Sequence, residues 1–135
     1  MAAGATAVGT SSKLVWTGRI VSGLVVLFLL FAGIVGIIKA ADFAPQTAKY
    51  GYPGGIGMMI RIDITCIICA LIYAFPRTAV LGAILLTGYF GGAITTHIRA
   101  SEPFIIPIVV AVLAWGGIFL RDQRLRALIP LRSAS

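Results

Sequence analysis

Apolar positions along the chain gather into long runs that single charged residues separate. The first run occupies residues 20–38, between Arg19 and Lys39. Its length of about 19 residues is enough to cross about 30 Å of hydrocarbon as an α-helix. It is too long for the apolar part of a signal peptide, which has about 7–15 residues. Two further runs, 78–98 and 103–120, have similar lengths. The pattern predicts a retained membrane span for each run.

The second apolar run in chain order, at residues 64–75, is shorter than the other three. Its length of about 12 residues covers only about 18 Å as a helix, which is less than a membrane span. Extension back to residue 56 completes a span, 56–75, and places Arg61 and Asp63 inside the membrane edge. Three complete neighbouring spans favour this extension over a buried half-span. The predicted fold is an all-α integral membrane protein, an antiparallel four-helix transmembrane bundle.

Proline and glycine mark the predicted connections. Residues 40–55 are predicted to form a loop with a turn at Pro53-Gly54-Gly55, and Tyr50 and Tyr52 are interfacial aromatic residues. Tight turns are expected at residues 75–77 and 101–103.

Two prolines belong to the fourth span. Pro103 suits the first helical turn, where its missing N–H has no partner in any case, and Pro107 is expected to bend the helix slightly. The predicted organisation is a flexible N-terminus at 1–15, a membrane domain at 16–121 and a basic tail at 122–135.

Composition agrees with a membrane protein and excludes other classes. Of the 135 residues, 59% are hydrophobic and only 11% are charged, whereas an ordinary soluble domain has about 25% charged residues. So few charges cannot cover a water-facing surface, which excludes a soluble enzyme, a disordered chain and a disulfide-stapled module. The net charge of +7 then indicates membrane topology and surface attraction, not nucleic-acid binding.

Basic residues predict the orientation. Four spans place both termini on one side, together with most of the cations: Lys13, Arg19, Arg77, Arg121, Arg124, Arg126 and Arg132. The positive-inside rule then predicts cytoplasmic termini. The basic segment 121–126 is interpreted as an orientation anchor, with recognition of anionic lipids as the alternative.

Small residues predict where helices pack in lipid, since they allow backbones to approach closely. In the third span Gly88 and Gly92 form a small-xxx-small pair, and Gly116-Gly117 serve the fourth span. The first span offers Gly23, Gly33 and Gly36.

A helical wheel of the second span separates two faces at about 100° per residue. One face, predicted to point into the bundle, carries Asp63, Cys66, Cys69, Ala70 and Tyr73. The opposite face, predicted to point to lipid, carries Arg61, Ile64, Thr65, Ile68 and Ile72.

Asp63 is the principal candidate residue, because an ionisable group in a span is costly and is normally paired. His97 and Arg99, at the same end of the third span, are its predicted partners. Two interpretations stay open: a structural ion pair that locks two helices, or a site for a polar headgroup, a quinone carbonyl or a proton.

His97 and the cysteines admit further chemistry. His97 is the only histidine, so no zinc site is predicted. A hydrogen-bonded helix end, proton donation to a quinone and single axial ligation of haem or chlorophyll all stay open. Cys66 and Cys69 form a C-x-x-C pair, but thiolates are disfavoured in hydrocarbon. They are interpreted as apolar filler, with a redox role as the alternative.

The second half of the chain resembles a known family. Residues 73–99, YAFPRTAVLGAILLTGYFGGAITTHIR, and 115–132, WGGIFLRDQRLRALIPLR, are similar to the DoxX-like family of small bacterial four-span membrane proteins. Residues 19–24 and 50–53 resemble it as well, so the resemblance covers about residues 15–132. It implies a bundle in the bacterial cytoplasmic membrane, and founding members are linked to oxidoreductase complexes that pass electrons to quinone. By that analogy, a quinone or lipid pocket lined by Asp63, Tyr89, His97 and Arg99 is expected.

Three functions follow from these observations. The first is a non-catalytic accessory or anchoring subunit of a quinone-linked redox complex, which fits a short chain with no nucleotide loop, catalytic triad or cofactor motif. The second is an autonomous small oxidoreductase or carrier that uses Asp63 and His97. The third is a purely structural subunit of a larger membrane assembly. Expected partners are the lipid bilayer and other membrane subunits, without nucleic acid.

Overall fold

The structure is a computed structural model that describes residues 12–129, and this part of the chain contains six helices. Their bounds are α1 Ser12–Ile38, α2 Ala40–Lys49, α3 Gly55–Ala74, α4 Ala79–Arg99, α5 Ile105–Arg121 and α6 Gln123–Leu128. The predicted flexible N-terminus lies outside the described residues up to residue 11.

The four long helices form a closed ring in which α1 packs against α3 and α5, and α4 packs against the same two helices. Gly18, near the start of α1, faces Arg121 at the end of α5. Gly36, near the end of α1, faces Asp63 in the first half of α3, while Ser22 in the first half of α1 contacts Tyr73 at the end of α3. Neighbours in the ring are therefore antiparallel. We call the end that carries α2 and the α4–α5 connection the α2 end, and the opposite end the terminal end.

Three helices, α1, α3 and α4, are long and apolar enough to cross a membrane. Helix α5 is equally apolar but shorter, with 17 residues, or about 26 Å at about 1.5 Å per residue. Large aliphatic and aromatic side chains such as Leu27, Phe31 and Ile105 are exposed around the outside, as lipid-facing residues are. The predicted all-α membrane bundle is confirmed.

Alanines, aliphatic side chains such as Leu86 and Ile118, and one tyrosine form the centre of the bundle. Ala70, Ala83 and Ala114 are almost fully buried, and Tyr73 is 0% exposed. The Tyr73 hydroxyl donates to the Ala114 carbonyl oxygen at 2.8 Å and lies 3.0 Å from the Ser22 hydroxyl. One side chain of α3 thereby connects α1 and α5.

Glycine allows close helix contacts at only some of the predicted positions. A Cβ at Gly36 would overlap the Asp63 carboxylate, one at Gly33 would overlap Ile67, and one at Gly117 would approach Ser22. The prediction was wrong for four other glycines, because a Cβ would meet nothing within 4 Å. These are Gly23, Gly88, Gly92 and Gly116.

Helix boundaries also differ from the prediction. Helix α1 begins at Ser12, so residues 12–15 are helical and not part of a flexible N-terminus. Helix α5 begins at Ile105, which leaves Pro103 in the turn and puts Pro107 in the first helical turn. An N–H there has no intrahelical partner, so Pro107 removes no hydrogen bond that would bend the helix.

The largest difference is α2, since residues 40–49 were predicted to be a loop. Asp42 lies in the first turn of α2 and Lys49 in its last turn, where their charges complement the helix dipole. The alanines favour helix as well, and Pro45 removes only one backbone hydrogen bond. The turn that follows was predicted correctly, with left-handed backbone at Gly51, Gly54 and Gly55.

Candidate functional site

The inward face of α3 is the starting point of the site. Its buried residues are Asp63, Cys66, Cys69, Ala70 and Tyr73, which confirms the face predicted by the helical wheel. Arg61, Ile64 and Ile68 on the opposite face are exposed. The helical period of α3 therefore places the Asp63 carboxyl group inside the bundle.

Asp63 is 7% exposed and has no ion pair or hydrogen bond with any residue in the described range. Its Oδ2 atom is buried without a partner, on the side where Gly36 of α1 leaves room for it. The predicted pairing with His97 or Arg99 was wrong. The carboxyl group has hydrogen-bonding capacity that the described chain does not use, which is unusual for a buried polar atom.

A cavity of about 370 Å³ lies beside Asp63 at the α2 end. Helices α2, α3 and α4 and the α2–α3 turn enclose it. Its lining combines apolar surface from Met59 and Ile62 with hydroxyl, amide, imidazole and carboxyl groups. The polar lining residues are Gln46, Thr47, Tyr50, Tyr52, Asp63, Tyr89, Thr96 and His97. Of the four predicted ligand-binding residues, the cavity brings together Asp63, Tyr89 and His97.

Two glycines create part of this space. Gly88 and Gly92 line the cavity from α4, and a Cβ at either position would meet nothing within 4 Å. Their small-xxx-small spacing therefore gives the cavity an open flank instead of a helix–helix contact.

His97 has a defined orientation. Its Nδ1 atom lies 2.7 Å from the Ala93 carbonyl oxygen, and a carbonyl only accepts, so Nδ1 donates and Nε2 is the atom left for a ligand. The Tyr50 ring lies 6.1 Å from the imidazole, centroid to centroid. Next to it, the Tyr52 and Thr96 hydroxyls are hydrogen-bonded at 2.8 Å.

A cluster of charged and polar side chains joins the end of α2 to the α4–α5 connection, next to the cavity. Lys49 forms an ion pair with Glu102, and the Tyr50 hydroxyl donates to Glu102 Oε2 at 2.9 Å. We call Lys49, Tyr50 and Glu102 the Glu102 cluster. The hydrogen bond from Lys49, followed by that from Tyr50, lowers the pKa of Glu102, whereas desolvation and then the bond to Glu102 raise the pKa of Tyr50.

The remaining predicted residues lie outside the cavity lining. Arg99 is directed toward Gly51. Cys66 and Cys69 are buried free thiols, and Cys66 Sγ is 3.8 Å from the Leu29 carbonyl oxygen, toward α1. Within residues 12–129, no group of three His, Cys, Asp or Glu side chains is placed to hold a metal ion.

The contribution of α2 is the part of the site that the sequence did not predict. Gln46 and Thr47 line the cavity from this helix. Thr47 is buried, whereas its segment was predicted to be a loop. The acidic first turn and basic last turn of residues 40–49 were the signal that identifies the helix.

A ring of antiparallel apolar helices with a polar-lined cavity at one end defines a helical membrane protein. The chain belongs to the DoxX-like family, which matches it over residues 20–117. The matched range includes Asp63, Tyr89, His97 and Arg99 and ends before the basic tail. No curated protein and no solved structure is significantly similar to the chain.

Proposed function

We propose that this protein is a non-catalytic accessory or anchoring subunit of a quinone-linked redox complex, and that it holds the quinone ring in the α2-end cavity. The single observation that supports the proposal is the unpartnered Asp63 carboxyl oxygen at a cavity of about 370 Å³. Small-molecule sites have this character, with a mostly apolar lining and a few polar groups that fix orientation.

The lining residues fit a flat ring that carries two oxygens. Met59, Ile62 and Tyr89 offer apolar and aromatic surface, while Gly88 and Gly92 leave one flank without side chains. A quinone ring requires apolar contact on its faces, which the first group of residues offers. It also requires an open side through which it can enter, which the two glycines leave.

The polar groups of the lining are suited to orient the ring oxygens. Asp63, when it carries a proton, donates to a carbonyl oxygen, and the Tyr89 hydroxyl and a protonated His97 Nε2 donate in the same way. A bound quinone supplies the electron-accepting chemistry. The residues of this chain bind it, orient it and hold protons near its oxygens.

A subunit role agrees with the extent of the exposed apolar surface. Trp16, Leu24, Phe28 and Phe31 are among the side chains of α1 that face outward, and they suit contact with lipid or with other membrane subunits. No catalytic motif accompanies the cavity in the sequence, so we assign the electron-transfer chemistry to partner subunits.

The proposal includes a bacterial cytoplasmic membrane location with both termini in the cytoplasm. It requires α5 to be a fourth span. Its 17 residues are slightly shorter than a typical span, and the polar side chains at its two ends reach the headgroup regions. The excess of Arg at the terminal end supports this orientation, and the α2-end cavity then opens near the outer face.

Gentle-detergent purification from native membranes tests both halves of the proposal. Mass spectrometry of co-eluting proteins and of extracted small molecules is expected to find redox-centre subunits and a quinone. Recovery of the chain alone, with no quinone, would contradict the proposal. Partner subunits without quinone would favour the purely structural subunit, whereas a quinone-bound chain with activity of its own would favour the autonomous oxidoreductase.

Variants connect the retained quinone to the cavity. Gly88→Leu and Gly92→Leu should fill the open flank, and Asp63→Asn should alter the polar contact, so each should reduce the quinone-to-protein ratio severalfold. Gly91→Leu is the matched control, because Gly91 has the same free space but does not line the cavity. Equal quinone ratios in all four variants would place any bound quinone elsewhere.

A further inference from the structure

A second polar pocket lies at the terminal end, on the side opposite the α2-end cavity. It has a volume of about 370 Å³. Its lining includes Arg19 of α1, Arg121 of α5, Arg124 of α6 and Pro76 of the α3–α4 turn. We call it the arginine pocket. It shares no lining residue with the α2-end cavity.

The arginine pocket has positive charge that the described residues do not neutralise. Arg19, Arg121 and Arg124 form no ion pair within residues 12–129. Asp122 is the one acidic lining residue, and its Oδ1 atom accepts from the backbone N–H groups of Arg124 and Leu125. Three guanidinium groups against one carboxylate leave a surplus of two positive charges.

Arg121 is held in place on this pocket. Its guanidinium carbon lies 5.8 Å from the centroid of the Tyr73 ring, and its Nη2 atom is buried without a hydrogen-bond partner in the structure. A planar guanidinium with an unused donor binds phosphate oxygens well. The pocket is therefore suited to a phosphate-type anion.

A further cavity adjoins the arginine pocket and shares Arg19 and Arg121 with it. It has a volume of about 330 Å³ and is lined by Arg19 and Arg121, then by Gly23, Val26 and Leu27 along α1. We call it the Gly23 groove. It exists partly because Gly23 has no side chain, and a Cβ there would meet nothing within 4 Å.

We infer that the arginine pocket and the Gly23 groove together bind one anionic phospholipid, with its phosphate on Arg19, Arg121 and Arg124 and an acyl chain along the groove. Arg19 immediately precedes the apolar run 20–38, so the three guanidinium groups lie at headgroup depth. Basic pockets between membrane helices are known to bind anionic headgroups in this way. The adjoining apolar groove distinguishes a lipid from a free phosphate ion.

Native mass spectrometry of the full chain in detergent, titrated with dioleoylphosphatidylglycerol or dioleoylphosphatidylcholine, measures this binding. We expect the anionic lipid to bind at least about tenfold more tightly, because each arginine near the headgroup contributes about a fivefold factor. Arg19→Gln should weaken phosphatidylglycerol binding about fivefold. It should weaken phosphatidylcholine binding less, because the choline cation offsets the charge of the phosphate that both lipids carry. Arg77→Gln, an exposed arginine at the same end that lines neither cavity, should change neither.

Gly23→Leu tests the acyl chain separately from the charge. It should weaken phosphatidylglycerol binding severalfold, whereas Gly91→Leu should not. Both glycines have open space around them, so the variants are expected to fold even if Arg121→Gln does not.

Three results would overturn the inference. The first is equal affinity for the two lipids, and the second is a loss in Arg77→Gln as large as that in Arg19→Gln. The third is displacement of phosphatidylglycerol by inorganic phosphate with no effect of Gly23→Leu, which would indicate a phosphate-ion site. Quinone retention in the α2-end cavity is a separate measurement, since the two sites share no residue.

Discussion

Glycine residues have two opposite uses within a single helix of this bundle. On α4, a Cβ at Gly82 would overlap the backbone of Tyr73 on α3, whereas a Cβ at Gly88 would meet nothing within 4 Å. The first glycine sets how closely two helices approach, and the second leaves space at a cavity.

Alanine substitution should separate these two uses. Gly82→Ala is expected to destabilise the bundle by about 1–3 kcal/mol, the usual cost of overpacking, because a neighbouring backbone cannot rotate away. Gly88→Ala on the same helix is the control and should be neutral or slightly stabilising, since alanine favours helix. Thermal melting in detergent measures both, and equal melting temperatures would show that α3 and α4 are not in close contact at Gly82.

At the residue scale, the sequence predicted which face of α3 is buried but not the environment of Asp63. A helical period assigns side chains to faces, and the buried set of Asp63 to Tyr73 was correct for that reason. The period does not predict which residues of the other helices lie next to each buried side chain. Asp63 therefore faces Gly36 of α1, while His97, at the same cavity, bonds to its own helix through Ala93.

At the scale of helices, one hydroxyl connects three elements. Tyr73 of α3 is hydrogen-bonded to the Ala114 carbonyl oxygen of α5 and lies at hydrogen-bond distance from Ser22 of α1. An interhelical hydrogen bond in a membrane protein contributes about 0.6 kcal/mol on average and at most about 1.7 kcal/mol. Its effect is therefore measurable but modest.

Tyr73→Phe should lower stability by about 0.6–1.7 kcal/mol. The ring that fills the core is retained, so only the hydroxyl contacts are lost. Thr65→Val is a suitable control because the Thr65 hydroxyl bonds within α3, to the Arg61 carbonyl oxygen. Unfolding measured with Ser22→Ala and the double variant gives the coupling energy, and a coupling of zero would contradict the α1–α3 link.

Helix α2 shows why one element could not be read from hydropathy. Hydropathy finds segments long enough to cross a membrane, and the ten residues of α2 are too short and too polar for that. The acidic residue in the first turn, Asp42, and the basic residue in the last turn, Lys49, favour the helix. Only the packing of α2 against α3 makes Thr47 a cavity residue.

At the scale of the molecule, the Glu102 cluster ties the α1–α3 connection to the α4–α5 connection. Lys49 and Tyr50 belong to the first and Glu102 to the second. The two connections are far apart in sequence, so their contact closes the α2 end and makes its stability dependent on pH.

Acid should weaken this closure. The pKa of Glu102 is lowered from its ordinary value of 4.5 in the folded chain, so the stabilising contribution is complete above that value and is lost as pH falls through the lowered pKa. The melting temperature of Glu102→Gln should therefore lie below that of the natural chain near pH 7, and the difference should shrink as the pH falls through the lowered pKa of Glu102.

Alkali acts on the same cluster through Tyr50. Its pKa is raised from the ordinary value of 10.0, so the contribution of the neutral phenol is present below that value and is lost as pH rises through the raised pKa. A pH-independent difference between Glu102→Gln and the natural chain would contradict the ionic contact. Asp42→Asn, on the exposed side of α2, is the control.

The contact between α1 and α5 has a consequence for biosynthesis. Among the four long helices of the ring, α1 is synthesised before the others and packs against α5, which is synthesised after them. Gly18 therefore meets Gly117 and Arg121 only after α5 has been made. Until then the surface of α1 around Gly18 lacks its partner helix, whereas Gly33 and Gly36 can already contact α3. The ring cannot close before α5 has been synthesised, so nascent chains arrested before Ile105 should be cleaved faster by a membrane protease than chains that include α5.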